Sequence, residues 1–166
     1  MCHMNKPVRQ AQGFTLAEIM VVVAIVGIAA AMVVPMIGDT SDIQAASAAR
    51  MLMSDLEYAQ GRAMVTQSPV TVAFDTDAGS YLLRDAGGTT LTHPVTHNPF
   101  AVSLAASGMG DTALSQVNFG GVAAVTFDAL GAPNAAGFVV LLAGSSGRRI
   151  DLAAVTGKAT VQVVAP

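Results

Sequence analysis

The chain has 166 residues, of which 52% are hydrophobic and only 11% are charged, and its mean hydropathy is +0.56. This length fits one domain with an appendage, and this composition predicts a membrane segment. The formal net charge of −3 argues against a general nucleic-acid-binding protein. The single cysteine, Cys2, excludes an intramolecular disulfide and a metal site built from cysteines.

The N-terminal part begins with a basic stretch and continues as a long apolar run. Lys6 and Arg9 precede the run, and the segment Ile19 to Ile37 has no charged residue. As a helix this segment would measure about 29 Å, close to the roughly 30 Å hydrocarbon core of a bilayer. The basic residues before it predict a cytoplasmic N-terminus. A secretory signal peptide is disfavoured because no A-x-A-type cleavage site follows, which leaves a signal anchor.

A single carboxylate, Glu18, stands at the start of this run. No other ionisable side chain occurs from Phe14 to Gly38. An unpaired carboxylate is costly at hydrocarbon depth, so such residues are usually paired and functional. The alternative is a glutamate that extends to the membrane interface without a partner. A plain signal anchor explains the span but not this residue.

The stretch "GFTLAEIMVVVAIVGIAAAMVVP" resembles the class III signal of type IV pilins and type II secretion pseudopilins. The resemblance implies that a prepilin peptidase cuts between Gly13 and Phe14 and then N-methylates Phe14. It also implies that Glu18 pairs with the Phe14 amine of a neighbouring subunit in a filament. Pro35 falls where many members of that family kink the helix.

Helical spacing continues beyond the apolar run, in the segment 39–68. We predict an amphipathic helix that ends before Pro69, because proline restricts the residue before it. The alternative of two helices joined at Gly38 stays open. The predicted apolar stripe, which would pack on a C-terminal sheet, consists of Ile43, Ala46, Met53, Leu56 and Ala63.

After Pro69 the apolar residues alternate, which predicts strands separated by turns. We expect an antiparallel sheet or a small sandwich, with residues 89–100 and 107–115 as loops. The predicted strands are 70–75, 80–85, 100–104, 122–131, 137–144, 148–153 and 158–164.

The segment "VTFDALGAPNAAGFVVLLAGSSGRRIDLAAVTGKATVQ" resembles the C-terminal domain of the GspH/FimT minor pseudopilins. It contains the Phe-x-x-x-Gly-x-Pro turn, two strands, an arginine-containing turn and the Thr-Gly-Lys element of that group. The fold implied is α+β and pilin-like, with a long N-terminal hydrophobic helix before a small antiparallel β domain.

Residue groups that could carry other chemistry are few. Asp75, Asp77 and Gly79 look like part of a calcium loop, but turn chemistry explains them and too few oxygen ligands follow. His93 and His97 are spaced like metal ligands, but Pro94 breaks the helix that would align them. We therefore expect no metal, no cofactor and no enzymatic activity.

Arg148, Arg149 and Lys158 are the residues that could form a weak DNA-binding patch. Some FimT-type minor pilins bind DNA through a basic element near the C-terminus, and "GKAT" in this chain has one basic residue where that element has two. Cleavage of the leader would also remove Lys6 and Arg9. An ordinary solvated turn is therefore favoured over nucleic-acid binding.

Together these features predict a minor pseudopilin of a type II secretion system, anchored in the bacterial inner membrane. The expected partners are other pseudopilins or pilins, the prepilin peptidase and the inner-membrane assembly platform. The alternatives are a minor type IV pilin for pilus biogenesis or DNA uptake, and a bitopic ligand-binding protein that does not polymerise. The expected divisions are a leader at 1–13, a membrane and assembly helix at 14–38, an amphipathic helix at 39–68 and a periplasmic domain at 69–166.

Overall fold

The computed structural model describes residues 14–33 and 40–165, with side chains described for 14–30 and 40–165. The chain divides into two compact units, Met1–Asp39 and Thr40–Pro166. The predicted leader 1–13 with Gly13, and the predicted kink at Pro35, lie outside the described residues. So do residues 34–39, where the two predicted helices would join.

Helix α1, Leu16–Val33, is the described part of the first unit. The Thr15 hydroxyl oxygen accepts a hydrogen bond from the Glu18 backbone N–H at 3.2 Å, which satisfies a free donor of the first turn. Every described side chain from Phe14 to Ala30 is exposed. Within residues 14–33 and 40–165, no helix is both long enough and apolar enough to cross a membrane.

Helix α2, Ser41–Thr66, opens the second unit. It ends at Gln67, which adopts the left-handed conformation (φ 51°) and donates its backbone N–H to the Ala63 carbonyl. The residues of this helix that are buried are Ala45, Ala48, Ala49, Leu52, Leu56, Ala59 and Ala63.

The predicted apolar stripe of this helix is only partly right. Leu56 and Ala63 are buried, but Ile43 is 67% exposed and Ala46 and Met53 are half-buried. The buried face is richest in alanine, because small side chains let the helix backbone come close to the sheets. The larger Ile43 and Met53 fit the same spacing but lie off that face.

Two four-stranded antiparallel sheets follow the helix. The first has the order β3-β2-β1-β5, and its strands in chain order are β1 Val70–Asp75, β2 Ser80–Arg84, β3 Ala101–Ser103 and β5 Ala124–Phe127. The second has the order β4-β6-β7-β8, with β4 Thr112–Phe119, β6 Gly137–Ala143, β7 Ser146–Leu152 and β8 Ala159–Val164. The α+β fold with an antiparallel β domain is confirmed.

Strand β4 corrects the predicted loop at 107–115. Its sequence, TALSQVNF, mixes small and polar residues. Its pairing with β6 is irregular between Leu114 and Gln116. Local propensity for a strand is therefore weak, and pairing with β6 determines the structure. Strand β5 is also shorter than the predicted strand 122–131. Residues 128–132 form a turn instead, in which the Asp128 backbone N–H donates to the Ala132 carbonyl at 2.9 Å.

One hydrophobic core joins the helix to both sheets. Leu52 and Leu56 of α2 pack in the same buried cluster as Val72 of β1 and Leu141 of β6. The rings of Phe74 on β1 and Phe119 on β4 are stacked with centroids 5.8 Å apart, so an aromatic pair also connects the sheets.

Candidate functional site

Helix α1 presents an apolar surface on all its sides. Phe14 is 76% exposed, Leu16 is 78% exposed and Ile25 is 61% exposed. A helix that is hydrophobic all round is normally buried, either in a membrane or among other helices. The exposed apolar surface of α1 is therefore typical of a helix that a membrane or other helices cover.

Glu18 lies at the N-terminal end of this helix, three residues after the capping Thr15. The sequence Thr15-Leu16-Ala17-Glu18 has the spacing of a capping box. A carboxylate in the first turn also interacts favourably with the positive end of the helix dipole. The T-x-x-E pattern is the sequence signal for this local role, which the sequence-based prediction of an assembly partner did not include.

Arg148 belongs to the interface between α2 and the second sheet. Its side chain is only 12% exposed, and its guanidinium donates to Asp42 Oδ1 at 2.6 Å and to the Gly147 carbonyl at 3.0 Å. Asp42 lies in the first turn of α2. The pair therefore joins the start of the helix to β7.

Arg149 faces the opposite side of β7, since successive strand residues alternate between faces. Its guanidinium carbon lies 3.8 Å from the centroid of the Phe138 ring, and its Nε donates to Asp151 Oδ1 at 2.8 Å. Lys158 lies apart from both arginines, in the exposed turn before β8. The structure thus does not bring Arg148, Arg149 and Lys158 together as a common basic surface.

Gln60 of α2 connects two loops that the sequence analysis treated only as turn motifs. Its Nε2 donates to the Gly131 carbonyl at 2.7 Å and to the Thr156 carbonyl at 2.8 Å. Gly131 and Gly157 both have positive φ, and an added Cβ at Gly157 would lie 2.5 Å from Gln60 Nε2. The Gly-x-Pro and Thr-Gly-Lys elements are therefore held by one helix side chain, which no local pattern indicated.

Local hydrogen bonds explain both the acidic turn that begins at Asp75 and the loop that begins at His93. Asp75 Oδ1 accepts from the Ala78 backbone N–H at 2.9 Å, as expected of a turn. His93 Nδ1 accepts from the backbone N–H groups of Val95 at 3.1 Å and Thr96 at 3.2 Å. Among residues 14–33 and 40–165, no three His, Cys, Asp or Glu side chains are grouped to hold a metal ion.

Asp55 is a half-buried acidic residue on α2 to which the sequence analysis gave no role. Its Oδ2 accepts a hydrogen bond from the Tyr81 hydroxyl at 2.6 Å. Burial raises the pKa of Asp55, while the Tyr81 hydrogen bond and the nearby His93 lower it by less. Burial, followed by the charge of Asp55, also raises the pKa of the Tyr81 hydroxyl.

Two models of known protein families match the chain. The model for the prokaryotic N-terminal methylation motif matches residues 8–34, which include Phe14 and Glu18. The model for type II transport protein GspH matches residues 48–157, more than half of the chain. The chain belongs to the GspH family. No curated protein matches the chain.

Two solved structures of low sequence identity are similar to the chain. The minor pseudopilin EpsH of the Vibrio cholerae type 2 secretion system is 12% identical, with a TM-score of 0.54, and the match covers 74% of this chain and 98% of EpsH. The type IV minor pilin FimU of Pseudomonas aeruginosa is 17% identical, with a TM-score of 0.49, and the match covers 72% of this chain and 95% of FimU. The EpsH match confirms the pilin-like fold predicted from the sequence.

The residues matched by the GspH model include those that connect α2 to the two turns. Gln60, Gly131 and Gly157 all lie within residues 48–157. In this GspH-family chain, the motif glycines are therefore packing positions against α2.

Proposed function

We propose that this chain is a minor pseudopilin, which is stored in the bacterial inner membrane and assembled into a type II secretion pseudopilus. The observation that carries the proposal is the exposed apolar surface of α1 in a chain that also contains a GspH domain. A membrane covers such a surface before assembly, and the helices of neighbouring subunits cover it afterwards. The role is structural, without catalysis, metal or cofactor.

The topology that goes with this role has a cytoplasmic leader at 1–13 and a periplasmic domain at 69–166. The segment 14–38 serves as the membrane and assembly helix, with Pro35 as its kink, and 39–68 connects it to the domain. The proposed partners are other pseudopilins, the prepilin peptidase and the assembly platform. Nucleic acid is not among them, since Arg148 and Arg149 each pair with an aspartate on opposite faces of β7.

Processing between Gly13 and Phe14 is the first step of the proposed pathway. The methylation-motif match at residues 8–34 supports it. We expect mass spectrometry of the membrane-extracted protein to show a chain that begins at N-methylated Phe14. A bulky replacement, Gly13→Leu, should leave the leader in place, and an intact leader in the unaltered chain would contradict the proposal.

Glu18 then acts at two levels, and the two can be separated by substitution. Its position three residues after Thr15 stabilises the N-terminus of α1 locally. Its charge serves assembly, because it neutralises the Phe14 amine of the neighbouring subunit where an unpaired charge would be strongly penalised. Glutamine keeps a polar side chain at this position and removes the charge, whereas alanine removes both; each variant keeps the bond from the backbone N–H of residue 18 to the Thr15 hydroxyl.

The experiment compares Glu18→Gln and Glu18→Ala with the unaltered chain, using cross-linking to neighbouring pseudopilins and a secretion assay. Loss of one partner of a buried ion pair costs about 3–5 kcal/mol, so Glu18→Gln should reduce incorporation by two or more orders of magnitude. Cleavage and membrane insertion should remain normal. Normal cross-links and secretion in Glu18→Gln would show that the charge has no assembly role.

A further inference from the structure

A pocket beside Asp55 lies outside the helix surface to which the proposed function assigns assembly. It has a volume of about 370 Å³ and is bounded by α2 and by the segment from His93 to Ser107. Its lining combines apolar groups with hydroxyl and amide groups, among them Met51, Asp55, Thr96, Asn98, Phe100 and Ser103. We call it the Asp55 pocket. Its size is in the range of pockets that hold small ligands or single side chains.

Asp55 is the acidic group of this pocket, which His93 also lines, and it forms no ion pair with a described residue. Tyr81 donates a hydrogen bond to Oδ2, and no described donor bonds to Oδ1. Among the described residues the ion pairs are Arg148 with Asp42 and Arg149 with Asp151, and neither involves Asp55. His93 lowers the pKa of Asp55 through its charge but is not within ion-pair distance.

An ionised Asp55 in these surroundings lowers the stability of the folded chain, which indicates that the residue serves a function other than folding. Burial outweighs the hydrogen bond and raises the pKa of Asp55, so the ionised form is destabilised in the folded chain. Asparagine could accept the same Tyr81 hydrogen bond without a charge to desolvate. Groups that cost stability in the folded state are commonly functional.

We propose that the Asp55 pocket binds an alkylammonium or guanidinium group. Such a group would supply the counter-charge to the carboxylate and donate to its Oδ1. The remaining N–H donors have acceptors in the Thr96 and Ser103 hydroxyls and the Asn98 amide, and the Phe100 ring provides an apolar wall. The group could come from a lysine or arginine side chain of a neighbouring subunit or from a free amine.

The binding test uses the full chain in a non-ionic detergent. Ligand-observed NMR titrations with Nα-acetyl-lysine methylamide and Nα-acetyl-arginine methylamide should show saturable binding of at least one probe. The neutral probe Nα-acetyl-norleucine methylamide should not bind saturably. Asp55→Asn should weaken binding at least tenfold, whereas Asp77→Asn, the same change at an exposed position, should leave it unchanged.

Absence of saturable binding, equal binding of the norleucine probe, or unchanged binding by Asp55→Asn would overturn the proposal. Tyr81→Phe provides a second variant, because it frees Oδ2 without removing the charge and should not abolish binding. Because the titration uses the isolated chain, its result does not depend on filament assembly.

A second measurement identifies the source of the cationic group. A photo-reactive benzoylphenylalanine placed at Thr96, an exposed residue of the pocket, is illuminated in cells that assemble the filament. A cross-link to another subunit that Asp55→Asn abolishes indicates a partner side chain. Probe binding without such a cross-link indicates a free amine. A cross-link that Asp55→Asn leaves unchanged, without probe binding, counts against the pocket.

Discussion

The connection made by Gln60 allows a quantitative test of how the GspH domain is held together. Gln60→Leu keeps the approximate size of the side chain but removes both hydrogen bonds, to the Gly131 carbonyl at 2.7 Å and to the Thr156 carbonyl at 2.8 Å. The part-buried bond to Gly131 should contribute about 1–1.5 kcal/mol, and the exposed bond to Thr156 about 0.5 kcal/mol. We expect the free energy of unfolding to fall by about 1.5–2 kcal/mol.

Thermal unfolding of the full chain in non-ionic detergent, followed by circular dichroism, measures this change. For a domain of this size the expected loss corresponds to a decrease in Tm of roughly 5–10 °C. Gln60→Glu should cost more, because its carboxylate would face two carbonyl oxygens without a proton to donate. Gln162→Leu, an exposed control on β8, should change the stability by less than about 0.5 kcal/mol.

The relative stabilities of these variants test whether the Gln60 amide holds the two turns. If Gln60→Leu and Gln60→Glu both behaved like Gln162→Leu, the two turns would be held by backbone conformation alone. The stabilising role assigned to the Gln60 amide would then be wrong.

Three other predictions follow from the described contacts. Deleting residues 1–39 should leave a folded, soluble domain, since the described core lies within Thr40–Pro166; an aggregated fragment without cooperative unfolding would contradict this. Arg148→Met should lower the free energy of unfolding by about 1–2 kcal/mol through loss of its hydrogen bonds to Asp42 and to the Gly147 carbonyl, while Lys158→Met should not; equal effects of the two changes in chemical denaturation would refute this. Asp55→Asn should be more stable than the unaltered chain at pH 7, and this advantage should vanish as the pH falls below 3.8, the ordinary pKa of an aspartate side chain. The sign follows because a raised pKa means that the folded state binds the proton more tightly than the unfolded state does, so a pH-independent difference in Tm would refute the assignment.

Several features were predictable because their causes are local in the sequence. Strand β1 was predicted with its observed bounds, Val70–Asp75, since alternation and the following turn residues act over a few positions. The family was recognised from the stretch beginning at Gly13 and from the turn elements near Gly131 and Gly157, and the family models confirm it. Because motifs of this kind are short and contiguous, they can be recognised from the sequence of a single chain.

Other features depend on pairing between distant segments and were not predictable. Strand β4 has weak propensity and exists because it pairs with β6. Arg148 and Arg149 are adjacent in sequence, but the alternation of β7 directs one to Asp42 and the other to Phe138.

By itself, the sequence determined the family, the apolar N-terminal helix with its single acid, and the alternation that makes the C-terminal part a β domain. Only the tertiary structure decided which face of α2 is buried, because that choice depends on how closely the alanine-rich side can approach two sheets. It also decided that Gln60 joins two turns 71 and 96 residues away, and that Asp55 lines a pocket without an ion-pair partner among the described residues. These contacts form only when the sheets are assembled on the helix, so no stretch of sequence contains them.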